Sequence, residues 1–393
     1  MSRTVHTMDR LEPDFAALRE RAFNLRWATV APDVIPLTAA DPDLPIAREV
    51  TAALTQYVAT PHLSYGPACG LPEFRRAVAA HFAREKAAAV APERVIATNS
   101  AASAIGLVAR HLIRSGDEVV VQDPVDFLVA ESARRAGAVL RCWTPVGGRF
   151  TLDGLRSAVT ARTRLISVCH PHNPLGTLWT PEDVAEISAF AADRGIRVLA
   201  DEVWSDVVLD GAPFASFAGS PAPGWTIYGL SKGYALAGLR IGAVIAPDAA
   251  SAAEFARVEG FEQTIEGAST LSQVAATAAL ERASAWREGF LAHCARQRDR
   301  AVARLGMLRG VRIDRVPQAT FVLFVDLRGT GIPEDELVER IERIARVRVV
   351  PGSPRWFGAG AAGHIRLSLA TTESVLDDAL ARIEQAWPAI TAG

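Results

Sequence analysis

The chain has 393 residues, 49% of them hydrophobic, and its 42 basic and 44 acidic side chains leave a net charge of −2. That length is ample for a large core and for two domains, while the near-neutral balance excludes a charge-driven partnership with nucleic acid or an anionic membrane. Cys69, Cys142, Cys169 and Cys294 lie far apart without a CxxC pair, so neither a disulfide framework nor a zinc site is expected.

The N-terminal "MSRTVHTMDRLEPDF" lacks the apolar run of a secretory leader, and no stretch of about 18 uninterrupted apolar residues marks a membrane span. A soluble, cytoplasmic chain is the expectation. From about Leu44 to Thr277, helix-like and strand-like segments alternate. "LPEFRRAVAAHFAREKAA" has helical periodicity, and "SAASAIGLVARHLIRSGD" reads as a helix closed by Gly116. "EVVVQDP", "AVLRCW", "TRLISVCHP" and "IRVLADE" are short apolar strands, the first running into a proline turn. "FLVAESARRAG" is a helix between two of them. "TPEDVAEISAFAADRG" is another, with Thr180 as N-cap, Pro181 at the first helical position and Gly195 as the stop. Apolar strands separated by helices predict a mainly parallel sheet covered on both faces.

Beyond about Leu280 the pattern changes. A long arginine-rich helix, Trp286 to Leu305, leads into the strand-like "ATFVLFVDL". A helix at "EDELVERIERIA", strands at "RVRVV" and "HIRLSLA", and a last helix at "ESVLDDALARIEQAW" follow. This α+β order suits a smaller C-terminal domain. The division expected is an N-terminal segment at 1–44 packing with the small domain, a large domain at 45–280 and the small domain at 281–393.

Two short motifs carry little. "GAGAAG", Gly358 to Gly363, fits G-x-G-x-x-G, but a dinucleotide fingerprint needs a strand before it and a helix after it. Here "RWF" precedes and a strand follows, so a flexible glycine loop is expected. In "HPHNP", His170 and His172 lack further metal ligands at a suggestive spacing. A tight turn at Asn173–Gly176, at the carboxyl end of a strand, is the plainer reading, and ligands bind at that edge in α/β sheets.

Three polar residues share this placement. Asn173 ends one strand, Asp201 ends a later one, and Lys232 follows the strand-like "WTIYGLS", at separations of 28 and 31 residues, each about one βαβ unit. Taken singly, Asn173 is a turn residue, Asp201 a helix cap and Lys232 a snorkelling lysine. Taken jointly, they predict a crevice at the carboxyl edge of the sheet. Lys232 sits among small and apolar residues in "YGLSKGYALAGLRIG", which suits a dry site where its amine deprotonates and attacks a carbonyl.

"GLSKGYALAGLRIG" resembles the lysine signature of class I and II aminotransferases that use pyridoxal 5′-phosphate (PLP), fold type I. The small-apolar-small residues before Lys232, then Gly238, Arg240 and Gly242, match it. "LSYGPACGLPEFRRAVA", "NSAASAI", "HPHNPLG", "ADEVW" and "HIRLSLA" follow the family order along nearly the whole chain. "NLRW", "PDVIPLTAADPDLP" and "HPHNPLGTLW" are similar, more narrowly, to the cystathionine β-lyase-like C–S lyases. The resemblance implies a large domain with a mainly parallel seven-stranded sheet and a smaller α+β domain. It implies that Lys232 binds PLP as a Schiff base and then acts as general base at Cα. Asp201 would pair with the pyridine nitrogen and Asn173 with the phenolic oxygen. Arg240, Ser231 and the backbone N–H groups of Ala101 and Ala102 would hold the phosphate. Tyr65 would reach the site of a neighbouring subunit, implying a homodimer with shared sites, and Arg366 would grip the α-carboxylate of an amino-acid substrate. A buried salt bridge is the alternative for Arg366.

Two positions depart from the family. Where Pro-x-aromatic is usual, "PVDFLV" places Asp126, with Phe127 next to it as the candidate to stack on the ring. Three residues after Asp201 stands Trp204 instead of tyrosine, and an indole N–H donates but cannot accept. The function expected is a C–S β-lyase that releases thiol, pyruvate and ammonia from a cysteine S-conjugate. The alternatives are an aminotransferase using a keto acid and a decarboxylation-coupled deaminase. No metal ligand set is expected. Trp356 and Phe357 are candidates for an apolar substrate pocket, with core packing or a subunit contact as the competing readings.

Overall fold

A computed structural model describes residues 12–392; the first eleven residues of the expected N-terminal segment, and with them most of the stretch read for a leader, lie outside it. Seven strands form the main sheet: β1 (Val95–Thr98), β2 (Glu118–Gln122), β3 (Val139–Trp143), β4 (Thr163–Cys169), β5 (Arg197–Asp201), β6 (Trp225–Gly229) and β7 (Gly242–Ile245). Their order is β1-β7-β6-β5-β4-β2-β3. β7 alone runs antiparallel to its neighbours. Its amino end therefore lies at the edge where the other six strands end.

The strands alternate strictly, as a sheet covered on both faces requires. Ile96, Val119, Val121 and Ile227 face one core with the helices Ala101–Leu112 and Phe127–Arg135. Val120, Ile166 and Val198 face a second core under the helix Pro181–Ala192. Val95, Ala97 and Tyr228 face a third under Pro72–Glu85 and Thr270–Arg282. Thr180 caps Pro181–Ala192 with a capping box closed by Asp183. The helix after β1 ends at Leu112, not at Gly116. Ile113 is extended, so Gly116 (φ +89°) shapes the turn beyond the helix rather than its stop.

The C-terminal part builds a separate three-stranded antiparallel sheet from β8 (Val322–Asp326), β9 (Val350–Pro351) and β10 (His364–Ser368), in the order β9-β10-β8. Its core joins Leu323, Val325 and Leu367 to the helices Ser284–Leu305 and Glu373–Ile390. Trp27, Ile35 and Leu37 pack into the same core, and Ile35–Pro36 pairs in parallel with Val347–Arg348. "RVRVV" is thus two short strands serving two sheets rather than one. "EDELVERIERIA" is helical over Glu334–Arg340 and ends in a π-helical turn over Ile341–Ala345. Among the described residues no helix is long and apolar enough to cross a membrane.

Candidate functional site

The carboxyl ends of β1, β4, β5 and β6 and the amino end of β7 open onto one cavity of about 480 Å³. Asn173, Asp201, Ser231, Lys232, Arg240, Ala101, Ala102, Trp204, Phe127 and Arg366 all line it. Tyr65 does not; it is 91% exposed.

At one end lies an anion cradle. Ser100 caps the helix Ala101–Leu112, accepting a hydrogen bond from Ser103 N, and receives another from Arg240 Nη2 at 2.9 Å. Both residues have left-handed backbone, Ser100 at φ +100° and Arg240 at φ +49°. Strain of this kind at non-glycine residues collects at ligand sites. Gly242 lets the β7 backbone close on the helix start, where an added Cβ would stand 2.6 Å from Ala101 N. The first N–H groups of the helix and the Arg240 guanidinium are left to face an anion.

Asp201 ends β5 in register with Cys169 of β4 and Ile227 of β6. It is buried, and Oδ1 accepts from Val203 N at 3.1 Å. Burial raises its carboxyl to about 7, with Asp126 adding to the rise and Lys232 opposing it. A cationic N–H placed on this carboxylate would meet its unmet charge.

Lys232 is half-buried, and its Nζ donates to the Ala40 carbonyl at 2.6 Å and lies 5.6 Å from the Trp204 ring. Burial pushes its amine below the usual lysine range; Asp41 and Asp126 act against the shift and Arg366 with it. Gly233 makes this approach possible from behind, since a Cβ there would meet Asp206 Cβ at 2.3 Å. Asp206 is itself held by His81, Lys86 and Tyr228 at 2.6–2.7 Å. Sequence reasoning missed this brace because its members lie 22 to 125 residues apart with no periodic relation.

Arg366 projects from β10, buried, with Nη1 donating to Asn173 Oδ1 at 3.4 Å and Nη2 to Thr38 O at 3.2 Å. These are uncharged acceptors, so the buried salt bridge considered from the sequence is not formed through them. Its Nε is buried without a partner. Burial lowers its guanidinium to about 10, opposed by Asp126. Asn173 Nδ2 donates to Asp126 Oδ2 at 2.9 Å, so Asp126, Asn173 and Arg366 form one chain. Asp126 also caps the helix Phe127–Arg135 through Leu128 N. Phe127 meets Trp356 edge-on at 5.8 Å. Trp204 is 1% exposed and packs edge-on against Phe321.

His170 and His172 take no part. Both are buried among Phe150, Trp179 and Phe214, and burial lowers each to about 3. "GAGAAG" forms a turn between the short helix Pro354–Phe357 and β10, where Gly358 and Gly360 lie against Asp123, whose Oδ1 accepts from Gly360 N at 2.9 Å.

The donor set fits PLP. An anion cradle, a buried carboxylate, an amine of lowered basicity and a guanidinium with an unpartnered Nε would take up its phosphate, its ring nitrogen, its aldehyde and the carboxylate of an amino acid.

The family profile described as aminotransferase class I and II matches residues 32–383. The chain is 31% identical to the probable aspartate/prephenate aminotransferase of Thermus aquaticus over 94% of this chain and 95% of that protein. It is 29% identical to the aspartate aminotransferase of Pyrococcus horikoshii, over 90% of each. Among solved structures, the aromatic aminotransferase of Pyrococcus horikoshii superposes with a TM-score of 0.84 at 27% identity, covering 92% of this chain and 98% of that one. The aspartate aminotransferase of Thermus thermophilus with maleate gives 0.82 at 28%, covering 98% and 100%. These relatives carry aminotransferase names, which favours amino-group transfer over the C–S lyase likeness read from the N-terminal segment.

Proposed function

The chain belongs to the aminotransferase class I and II family, a PLP-dependent enzyme of fold type I, and we propose that it transfers the amino group of an α-amino acid to a keto acid. The observation that carries this reading is the meeting, in one cavity, of the Lys232 amine and the Arg366 guanidinium with its unpartnered Nε.

Bound there, PLP supplies an electron sink for the carbanion left when Cα loses its proton. Lys232 would anchor the cofactor, and its amine, once freed by the substrate, would take up and hand on the Cα proton. Burial lowers its basicity, which favours the uncharged amine over the ammonium. Asp201 would hold the proton on the ring nitrogen. Asn173 would donate to the phenolic oxygen. Its carbonyl, already joined to Arg366, keeps the guanidinium turned toward the substrate carboxylate. Ser231, Arg240 and the N–H groups of Ala101 and Ala102 would hold the phosphate. Trp204 and Phe127 would border the ring, and the Lys232 Nζ lies 5.6 Å from the Trp204 ring.

The 45–280 and 281–393 parts form the large and small domains in this reading, with the cavity between Lys232 on the first and Arg366 on the second. Tyr65 completes the site of a second subunit in a homodimer. Tyr65 is 91% exposed and Leu63, two residues before it, 60%, which supports a contact with a second subunit there.

Product analysis by mass spectrometry tests the reading. The PLP-loaded protein receives amino acids and cysteine S-conjugates, with and without an added keto acid. Turnover that needs the keto acid and yields a new amino acid is the expected result. Thiol, pyruvate and ammonia without a keto acid would replace it with the β-lyase, and carbon dioxide release with the decarboxylating deaminase.

A further inference from the structure

We propose that the amino-acid substrate carries an uncharged, apolar side chain seated against Trp356, and that the cavity rejects a second carboxylate of the kind aspartate bears. This rests on the aminotransferase reading and narrows it to a substrate class.

Three cations line the cavity among the described residues: Lys232, Arg240 and Arg366. Arg240 is committed to the cradle through Ser100, Lys232 to the reacting nitrogen, and Arg366 to the α-carboxylate. Arg355 is close in sequence, but its guanidinium lies over the Trp356 ring at 5.1 Å and does not line the cavity. Apart from its bonds to Asn173 and Thr38, Arg366 is flanked by apolar groups. Val350 is its direct partner in the β9–β10 ladder, and the Phe357 ring lies 5.0 Å from its guanidinium carbon. Three carboxylates, Asp41, Asp126 and Asp201, also line the cavity, and Asp201 is committed to the cofactor. A second substrate carboxylate would be desolvated against aromatic rings, without a cation and close to like charge, which is costly.

The glycine-rich stretch gains a role here. Val125 N donates to the Phe357 carbonyl at 2.8 Å, and a Cβ on Gly358 would stand 2.3 Å from Asp123 Oδ1. The two glycines fasten the loop onto the Asp123–Val125 turn and hold Trp356 edge-on to Phe127 across the cavity mouth. Trp356 is therefore the specificity-determining residue.

Calorimetry on the PLP-loaded protein with two unreactive carboxylates, 3-phenylpropionate and maleate, tests this. The expected result is 3-phenylpropionate binding roughly 10-fold or more tighter. Trp356→Ala should remove roughly 10-fold of that affinity and leave maleate unchanged, while Trp356→Phe retains most of it. Tighter binding of maleate would mean that a cation from outside this wall completes the site, and would overturn the proposal. So would a Trp356→Ala protein that is folded, by its circular dichroism, and binds 3-phenylpropionate as the parent does. Mixing phenylalanine, leucine and aspartate with the holoenzyme separates the two readings. Spectral conversion of the cofactor by aspartate ahead of the apolar amino acids sinks the substrate class alone. Conversion by none of them, with binding as expected, sinks aminotransfer and leaves the apolar pocket standing.

Discussion

The Nζ of Lys232 donates a 2.6 Å hydrogen bond to the carbonyl of Ala40, joining the loop after β6 to the N-terminal segment across 192 residues. The bond fixes the amine inside the cavity, where burial lowers its basicity. Lys232→Ala should lose the visible absorbance of lysine-linked PLP and lower kcat by roughly 10²–10⁴-fold. Near-normal turnover by the folded variant would remove Lys232 from the chemistry.

Asp201 gives a pH signature in the cofactor-free protein. Burial raises its carboxyl from 3.8 to about 7, so the folded chain holds this proton more tightly than the unfolded chain does. The contribution to stability is complete below about pH 4 and is lost as pH rises through about 7. Asp201→Asn carries no such titration. Its Tm should gain on the parent's between pH 5 and pH 8, while its affinity for PLP falls. A Tm difference that is flat across that range would show that Asp201 ionises freely in the fold.

Arg366→Lys tests the carboxylate grip. A lysine keeps the charge but loses the forked donor pair and the contact with the Phe357 ring. The KM for the amino acid should rise roughly 10–100-fold, with a much smaller change in kcat. An unchanged KM would place the substrate carboxylate elsewhere.

Gly242→Ala should disrupt the phosphate cradle. Its Cβ would meet Ala101 N at 2.6 Å and push the helix start away from β7. We expect a loss of about 1–3 kcal/mol in stability and weaker PLP binding in equilibrium dialysis. Gly238→Ala, with no atom within 4 Å of its Cβ, is the matched control and should bind PLP as the parent does.

Shared sites can be read by mixing inactive subunits. If Tyr65 serves the neighbouring subunit, Tyr65→Ala and Lys232→Ala chains refolded together should regain activity. Their heterodimer carries one site with both residues intact. No recovery from a mixture that sedimentation shows to be dimeric would return Tyr65 to its own subunit or to the surface.

Much of the site was legible because motif order and strand spacing are local properties. Asn173, Asp201 and Lys232 each follow an apolar strand, and parallel strands bring their carboxyl ends to one edge whatever the details of packing. Thr180 and Pro181 announced their helix through capping chemistry confined to its first residues. The end of the helix after β1 was misplaced because Gly116 marks a turn whose distance from the helix is set by the residues between, 113 to 115. The C–S lyase expectation leaned on the N-terminal segment and the "HPHNPLGTLW" turn, short stretches that carry little of the chain's whole likeness.

By itself the sequence determined the alternation of buried residues, and with it the strands, their mostly parallel order and the edge where the chemistry gathers. It also determined the lysine signature, since small residues around Lys232 are a local requirement. Only the tertiary structure decided that Asp126 reaches Asn173, that Asn173 reaches Arg366, and that the glycines after Phe357 press on Asp123. These contacts join segments 47 to 237 residues apart. No periodicity carries such pairs. They exist because two sheets with separate cores pack with their loops facing one cavity, and burial there sets the charge each group can hold.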